Sequence, residues 1–199
     1  MLVSLDTLVA GAIAGQLVSF PTDTVPALAA LPAKGALIYE AKQRHRDKPL
    51  ILMAAEVEDF WPFVRGSDEE YKIWQSVARK YWPGALTLVL PASEQVSKEM
   101  IPAQLGDDKT IGIRVPNSAI ARKILAKTSP LATTSANLSG QPPLEKMVEI
   151  EANFPDVLVL APTEYNESDT HRTGVPSTVA KWTGDHWQIL RQGAIKLEF

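Results

Sequence analysis

The chain has 199 residues with 11 Gly, 15 Pro and no Cys, a length suited to one domain and a composition that excludes a disulfide framework, a thiolate metal site and a cysteine nucleophile. Hydrophobic residues at 45% and charged residues at 22% exclude a disordered chain. A net charge of −3 argues against a protein that grips nucleic acid by bulk charge.

The opening twenty residues lack the basic start of a signal peptide, and Asp6 interrupts their apolar run. No stretch reaches the roughly 18 consecutive apolar residues a membrane span requires. The expectation is a soluble, cytoplasmic protein with no membrane partner. Leu8, Val9, Ala12 and Ile13 recur at helical spacing and Gly15 stops the helix. Leu17 to Phe20 predicts a buried strand halted by Pro21, and Leu37, Ile38 and Ala41 predict a helix ending near Lys42. Leu50 to Met53 is a second buried strand. Val57, Phe60, Trp61 and Val64 then form a helix face despite Pro62.

Ser67 and Glu70 form a capping box ahead of Tyr71, Trp74, Ala78 and Tyr81, and that helix ends before Trp82-Pro83-Gly84. Leu86 to Leu90 and Ile111 to Val115 read as strands, Ile120 and Ile124 as a helix closed by Pro130. Leu131 to Thr134 and Val157 to Leu160 are further strands. Pro162 to Gly174 is a long polar loop, of the kind that forms lids or stays disordered. Ser177 to Trp182 and Trp187 to Arg191 flank Thr183-Gly184-Asp185 as a hairpin. Short buried strands alternating with helices predict an α/β fold: a twisted, mixed, open sheet with helices on both faces, as one domain over residues 1–199.

Charge is uneven. Lys42, Arg44, Arg46 and Lys48 against Asp47 place +3 within seven residues and leave −6 for the rest. That suits a small polyanion or a solvated helix end, and spacing does not choose between them. Four segments follow strands or sit at strand ends, where α/β sheets bind ligands. They are Pro21-Thr22-Asp23-Thr24-Val25, Lys42 to Leu50, Thr133-Thr134-Ser135-Ala136-Asn137-Leu138-Ser139-Gly140 and Gly174-Val175-Pro176-Ser177-Thr178-Val179. Alone, Thr134 to Gly140 reads first as a turn with an N-cap. No Walker A sequence, GxGxxG or GxSxG is present, and His171 and His186 lack metal-ligand spacing.

Taken in order with Trp82-Pro83-Gly84-Ala85-Leu86-Thr87, Gly112-Ile113-Arg114-Val115-Pro116 and Leu190-Arg191-Gln192-Gly193, these segments resemble the YrdC-domain family of threonylcarbamoyl-AMP synthases, from about Val3 to Ala194. Ending at Phe199, the chain resembles the short form without a C-terminal domain. The resemblance implies a YrdC-like fold with a concave, positively charged face. It also implies synthesis of threonylcarbamoyl-AMP and pyrophosphate from L-threonine, bicarbonate and ATP, with Mg²⁺ accompanying ATP and no protein-held metal. A separate transferase complex then modifies tRNA.

By motif, the resemblance makes Lys42, Arg44, Ser135 and Asn137 catalytic. Arg44, Lys48, Thr110, Ser135, Pro143 and Arg191 become ATP-binding, and Thr24, Met53, Arg114 and Ser177 threonine-binding. Departures from the family pattern gather at the amino-acid pocket: Asp23 for Glu, Pro26-Ala27 for Tyr-Gly, His45 for Pro and Met53 for His. They keep another reading open: a divergent YrdC-like protein that binds nucleotide, or RNA weakly, without synthase activity. A carbamoyl-transfer enzyme with a related domain is a weaker third reading, since such activities generally come with additional domains.

Overall fold

The apolar runs assemble into one ten-stranded sheet in the order β1-β8-β2-β3-β7-β4-β6-β5-β9-β10, in a computed structural model that describes residues 1–101 and 109–198. The strands are β1 (Leu2–Val3), β2 (Val18–Phe20), β3 (Ala27–Ala30), β4 (Ile51–Met53), β5 (Leu86–Pro91), β6 (Thr110–Arg114), β7 (Leu131–Ser135), β8 (Leu158–Leu160), β9 (Thr178–Trp182) and β10 (Trp187–Arg191). The helices are α1 (Leu5–Ile13), α2 (Ala36–Lys42), α3 (Asp68–Tyr81), α4 (Ala119–Thr128) and α5 (Met147–Asn153). Parallel pairs such as β4 with β6 and β5 with β9 sit beside antiparallel pairs such as β3 with β7 and β9 with β10. The sheet is therefore mixed and open, as the sequence predicts.

Every residue of β2 and β3 is buried. Successive side chains point to opposite faces, so these strands are covered on both. The capping box holds: Ser67 Oγ accepts from Glu70 N at 3.3 Å, and Glu70 Oε2 accepts from Ser67 N at 2.8 Å. Trp74 and Ala78 on α3 are buried, while Ile13, expected on the buried face of α1, is 56% exposed at the helix end. Among the described residues no helix is long and apolar enough to cross a membrane.

Four elements differ from the sequence reading. Val57–Phe63 is a 3-10 turn, not an α-helix; Pro62 supplies no N–H for the helical ladder. Strands β1 and β3 and helix α5 are additional. Ala27-Leu28-Ala29-Ala30 has no β-branched residue, and its strand conformation comes from pairing with β2 and β7. Within Pro162 to Gly174, Pro162–Glu164 and Glu167–Asp169 form 3-10 turns.

Candidate active site

Strand ends and loops from seven segments enclose a cavity of about 220 Å³. Its floor is the sheet face carrying Thr133, Ile51, Arg114, Thr87 and Val179. Gly112 lies in the same face, and a Cβ there would stand 2.8 Å from Ile51 Cγ2 and 3.4 Å from Thr87 Cγ2. Glycine thus keeps the floor low. Among the described residues three guanidinium groups, from Arg44, Arg114 and Arg191, line the cavity, and no carboxylate does.

Arg114 is anchored on three sides. Its Nη2 donates to Asp23 Oδ1 at 2.6 Å, Nη1 to Thr24 Oγ1 at 2.8 Å and Nε to Gly84 O at 3.0 Å. Burial pushes its pKa down and Asp23 opposes that shift. The turn that supplies Gly84 follows a cis Trp82–Pro83 peptide and is tied to β6 by Gly84 N donating to Val115 O at 2.9 Å. Thr24 also shares a hydrogen bond of 3.2 Å with Thr22. Across the cavity, Thr87 Oγ1 and Ser177 Oγ are 2.8 Å apart.

Arg191 donates from Nε at 3.1 Å and Nη2 at 2.8 Å to Ser177 O. Burial lowers its pKa, and the neighbouring Arg114 lowers it further. Like charges so placed favour an anion between them. Gly193 beyond it fits only because it has no side chain: a Cβ would lie 2.2 Å from Pro176 O. Arg44 donates to Lys48 O at 3.4 Å and Pro49 O at 3.3 Å, which curls the basic segment back on itself.

Lys42 does not line the cavity. It is 1% exposed, and its Nζ donates to the carbonyls of Ser135 and Asn137 and, at 3.3 Å, to Asn137 Oδ1. Burial, and secondarily Arg44, lower its pKa from 10.5 to about 7. Asn137 is similarly inward: Nδ2 donates to Leu138 O at 2.7 Å and Gln141 O at 2.8 Å, while Oδ1 accepts from Ser135 Oγ at 2.6 Å. Of the four residues expected to be catalytic, Ser135 and Arg44 reach the cavity, and Lys42 and Asn137 build the wall behind Ser135.

The other expected residues divide in the same way. Thr24, Met53, Arg114, Ser177 and Arg191 line the cavity. Asn137 and Pro143 line an adjoining hollow of about 570 Å³. Lys48 is exposed, donates no bond to the cavity wall and contributes its carbonyl to Arg44. Thr110 lies on the cavity-bearing face of β6, two alternate positions from Arg114, but lines a different hollow. Asp23 and Thr87 carry contacts that sequence reasoning did not assign. Both lie inside quoted segments, yet their partners are 91 and 90 residues away. The polar loop is pinned rather than free at its end: Thr173 N donates to Asp23 O at 2.9 Å and Gly174 N to Thr24 O at 3.1 Å. Among the described residues no group of three His, Asp or Glu could hold a metal.

Comparison with known proteins gives this arrangement a context. The Sua5–YciO–YrdC family model, described as telomere recombination, matches residues 13–193. Threonylcarbamoyl-AMP synthase of Pyrococcus abyssi is 35% identical over 188 residues, covering 92% of this chain and 52% of that protein. The enzyme of the same name from Vibrio campbellii is 33% identical over 187 residues, covering 90% of this chain and 93% of the relative. A crystal structure of P. abyssi Sua5 complexed with L-threonine superposes with a TM-score of 0.80 at 32% identity, over 95% of this chain and 54% of that one. Escherichia coli YciO, with a TM-score of 0.77 at 21% identity, shares the fold over 95% of this chain and 88% of its own. The chain spans about half the length of the Pyrococcus relative.

Proposed function

The chain belongs to the Sua5–YciO–YrdC family, and we propose that it makes L-threonylcarbamoyladenylate and pyrophosphate from L-threonine, bicarbonate and ATP. The observation that carries the reading is a cavity lined, among the described residues, by three guanidinium groups and no carboxylate, and rimmed by Thr24, Thr87, Ser135 and Ser177 hydroxyls. Such a site suits a carboxylate, a bicarbonate and a phosphate chain brought together. The names of the relatives and the L-threonine in the P. abyssi structure support it.

The threonine amine adds to bicarbonate and water leaves, giving the carbamate. A carbamate oxygen then attacks the α-phosphate, the bond to the β-phosphate oxygen breaks and pyrophosphate departs. Arg114, with N–H groups beyond those bound by Asp23, Thr24 and Gly84, pairs the threonine carboxylate; Thr24 and Ser177 hold its polar groups, and Met53 packs against its side chain. Arg44 and Arg191 neutralise phosphate oxygens as charge develops, and Ser135 orients the ribose-phosphate junction. Positioning and fixed charge supply the rate. Lys48, Thr110 and Pro143 extend the ATP contacts beyond the cavity. Asp23 is held by Arg114, and among the described residues no carboxylate lines the cavity, so Mg²⁺ enters bound to the phosphates of ATP as part of the substrate.

The product is handed to a transferase complex that places threonylcarbamoyl on tRNA, and the cytoplasm is where that exchange occurs. The test is pyrophosphate release. Release that requires threonine, bicarbonate and ATP together supports the reading. ATP binding without threonine-dependent release returns the protein to a nucleotide- or RNA-binding role.

A further inference from the structure

Arg44 reaches the cavity from a basic segment whose other cations, Lys42, Arg46 and Lys48, do not line it. Its bonds to Lys48 O and Pro49 O, at 3.4 and 3.3 Å, are longer than the usual span of about 2.7–3.2 Å. They aim the guanidinium only as well as those two carbonyls are themselves fixed. Pro49 O is fixed by the entry to β4, where Leu50 is buried and its N donates to Met100 O at 3.3 Å.

Lys48 O is fixed by Tyr39, one turn before the end of α2. Tyr39 is buried, and its hydroxyl donates to that carbonyl at 3.1 Å. The same residue holds the other end of the segment: Gln43 ends the helix at φ 50°, and Arg44 N then donates to Tyr39 O at 2.9 Å. Between the two ends, the Arg46 guanidinium lies over the Tyr39 ring, 5.6 Å from its centroid, and pairs with Glu99 at 3.1 Å. Tyr39 thus clips the segment at Arg44 and at Lys48. Burial raises its pKa against the pull of Arg44 and Arg46, so the hydroxyl keeps its proton and remains a donor.

We propose that Tyr39 is a positioning residue for the anion held by Arg44: its hydroxyl fixes the Lys48 carbonyl and so keeps the Arg44 guanidinium turned into the cavity before the anion arrives. That this anion is ATP rests on the synthase reading above. An arginine already held in place loses less side-chain freedom on binding, which strengthens the complex.

The test is a double-mutant cycle read by calorimetry with ATP and with L-threonine, on the native chain, Tyr39→Phe, Arg44→Ala and the variant carrying both. Phenylalanine keeps the buried ring and removes only the hydroxyl. Tyr39→Phe is expected to weaken ATP binding about threefold to tenfold, the scale of one hydrogen bond, and to leave L-threonine affinity within about twofold. In the Arg44→Ala background the same substitution should change ATP affinity less than about twofold, because its effect passes through Arg44. Native ATP affinity in Tyr39→Phe overturns the proposal. So does an equal loss with and without Arg44, an equal loss for L-threonine, or a melting temperature so low that the hydroxyl belongs to the fold as a whole. Should the native chain bind no ATP, the synthase reading fails. Tyr39 is then judged by the heteronuclear NOE of the Arg44 Nε–H: a lower value in Tyr39→Phe than in the native chain supports the positioning role, and an unchanged value refutes it.

Discussion

Arg114 Nη2 and Asp23 Oδ1 lie 2.6 Å apart, with both side chains about 95% buried. The pair joins β6 to the loop after β2 and sets the guanidinium plane at the cavity floor. Two opposite charges out of water are tolerated only as a bonded pair. Asp23→Ala therefore leaves a buried cation uncompensated and costs about 3–5 kcal/mol in denaturant unfolding. A loss below about 1 kcal/mol, the range of exposed pairs, would show that the pair is not held out of water.

Lys42 makes stability depend on pH. Its folded pKa of about 7 lies below the ordinary 10.5, so the unfolded chain binds more protons between those values. Unfolding free energy from this group therefore rises with pH across that window, and the burial cost is fully present below pH 7. Over the whole window the change is roughly 4–5 kcal/mol. Thermal unfolding of the native chain and of Lys42→Met from pH 6.5 to 9.5 on the ordinary pH scale checks it. The native chain should gain on the variant as pH rises, and a constant gap contradicts the buried amine.

Ser135 and Asn137 should part company. Asn137→Ala strips the Leu138 and Gln141 carbonyls of their donor and lowers stability by about 1–3 kcal/mol along with activity. Ser135→Ala removes a hydroxyl that lines the cavity and lowers turnover with little change in melting temperature. Melting temperature measured beside specific activity separates them; equal stability losses would mean that both residues serve only the turn.

Arg44→Ala should weaken ATP binding by about 1.5–3 kcal/mol, the scale of a charge-assisted hydrogen bond. Its carbonyl partners at Lys48 and Pro49 can turn to solvent, so the fold survives. Calorimetry giving native ATP affinity for this variant removes Arg44 from the site.

Pro26 is buried between cavity-lining Val25 and Ala27, and its carbonyl accepts from Ala136 N at 2.9 Å. A proline there offers less apolar surface than the tyrosine of the family pattern. Threonine-to-serine selectivity should be lower than in a Pro26→Tyr variant by at most about 10–200-fold, the worth of one methyl contact. Equal selectivity in the two proteins makes Pro26 a purely structural substitution.

Most strands were legible because short apolar runs between Pro, Gly and polar clusters carry their own boundaries, and Ser67 with Glu70 marked the start of α3 to the residue. Strand β3 was not, since alanines have no strand preference and only neighbours impose one. At the site, loop motifs located Thr24, Arg114, Ser135, Ser177 and Arg191. They could not tell that Lys42 and Asn137 point inward. Helix α2 ends at Lys42, and its burial depends on carbonyls 93 and 95 residues away. Asp23, noted in the sequence as a departure from the family pattern, was given no role for the same reason: its meaning lies in Arg114, a contact that no local pattern encodes.

An arginine-lined cavity that joins three substrates into one adenylate leaves the bicarbonate carbon in the product. Incubation with carbon-labelled bicarbonate, ATP and L-threonine, followed by mass spectrometry, reads that carbon. A labelled product containing both threonine and AMP is expected, formed only when all three are present and lost in Arg114→Gln. Absence of that product from the native chain, under conditions where ATP binds, would contradict it.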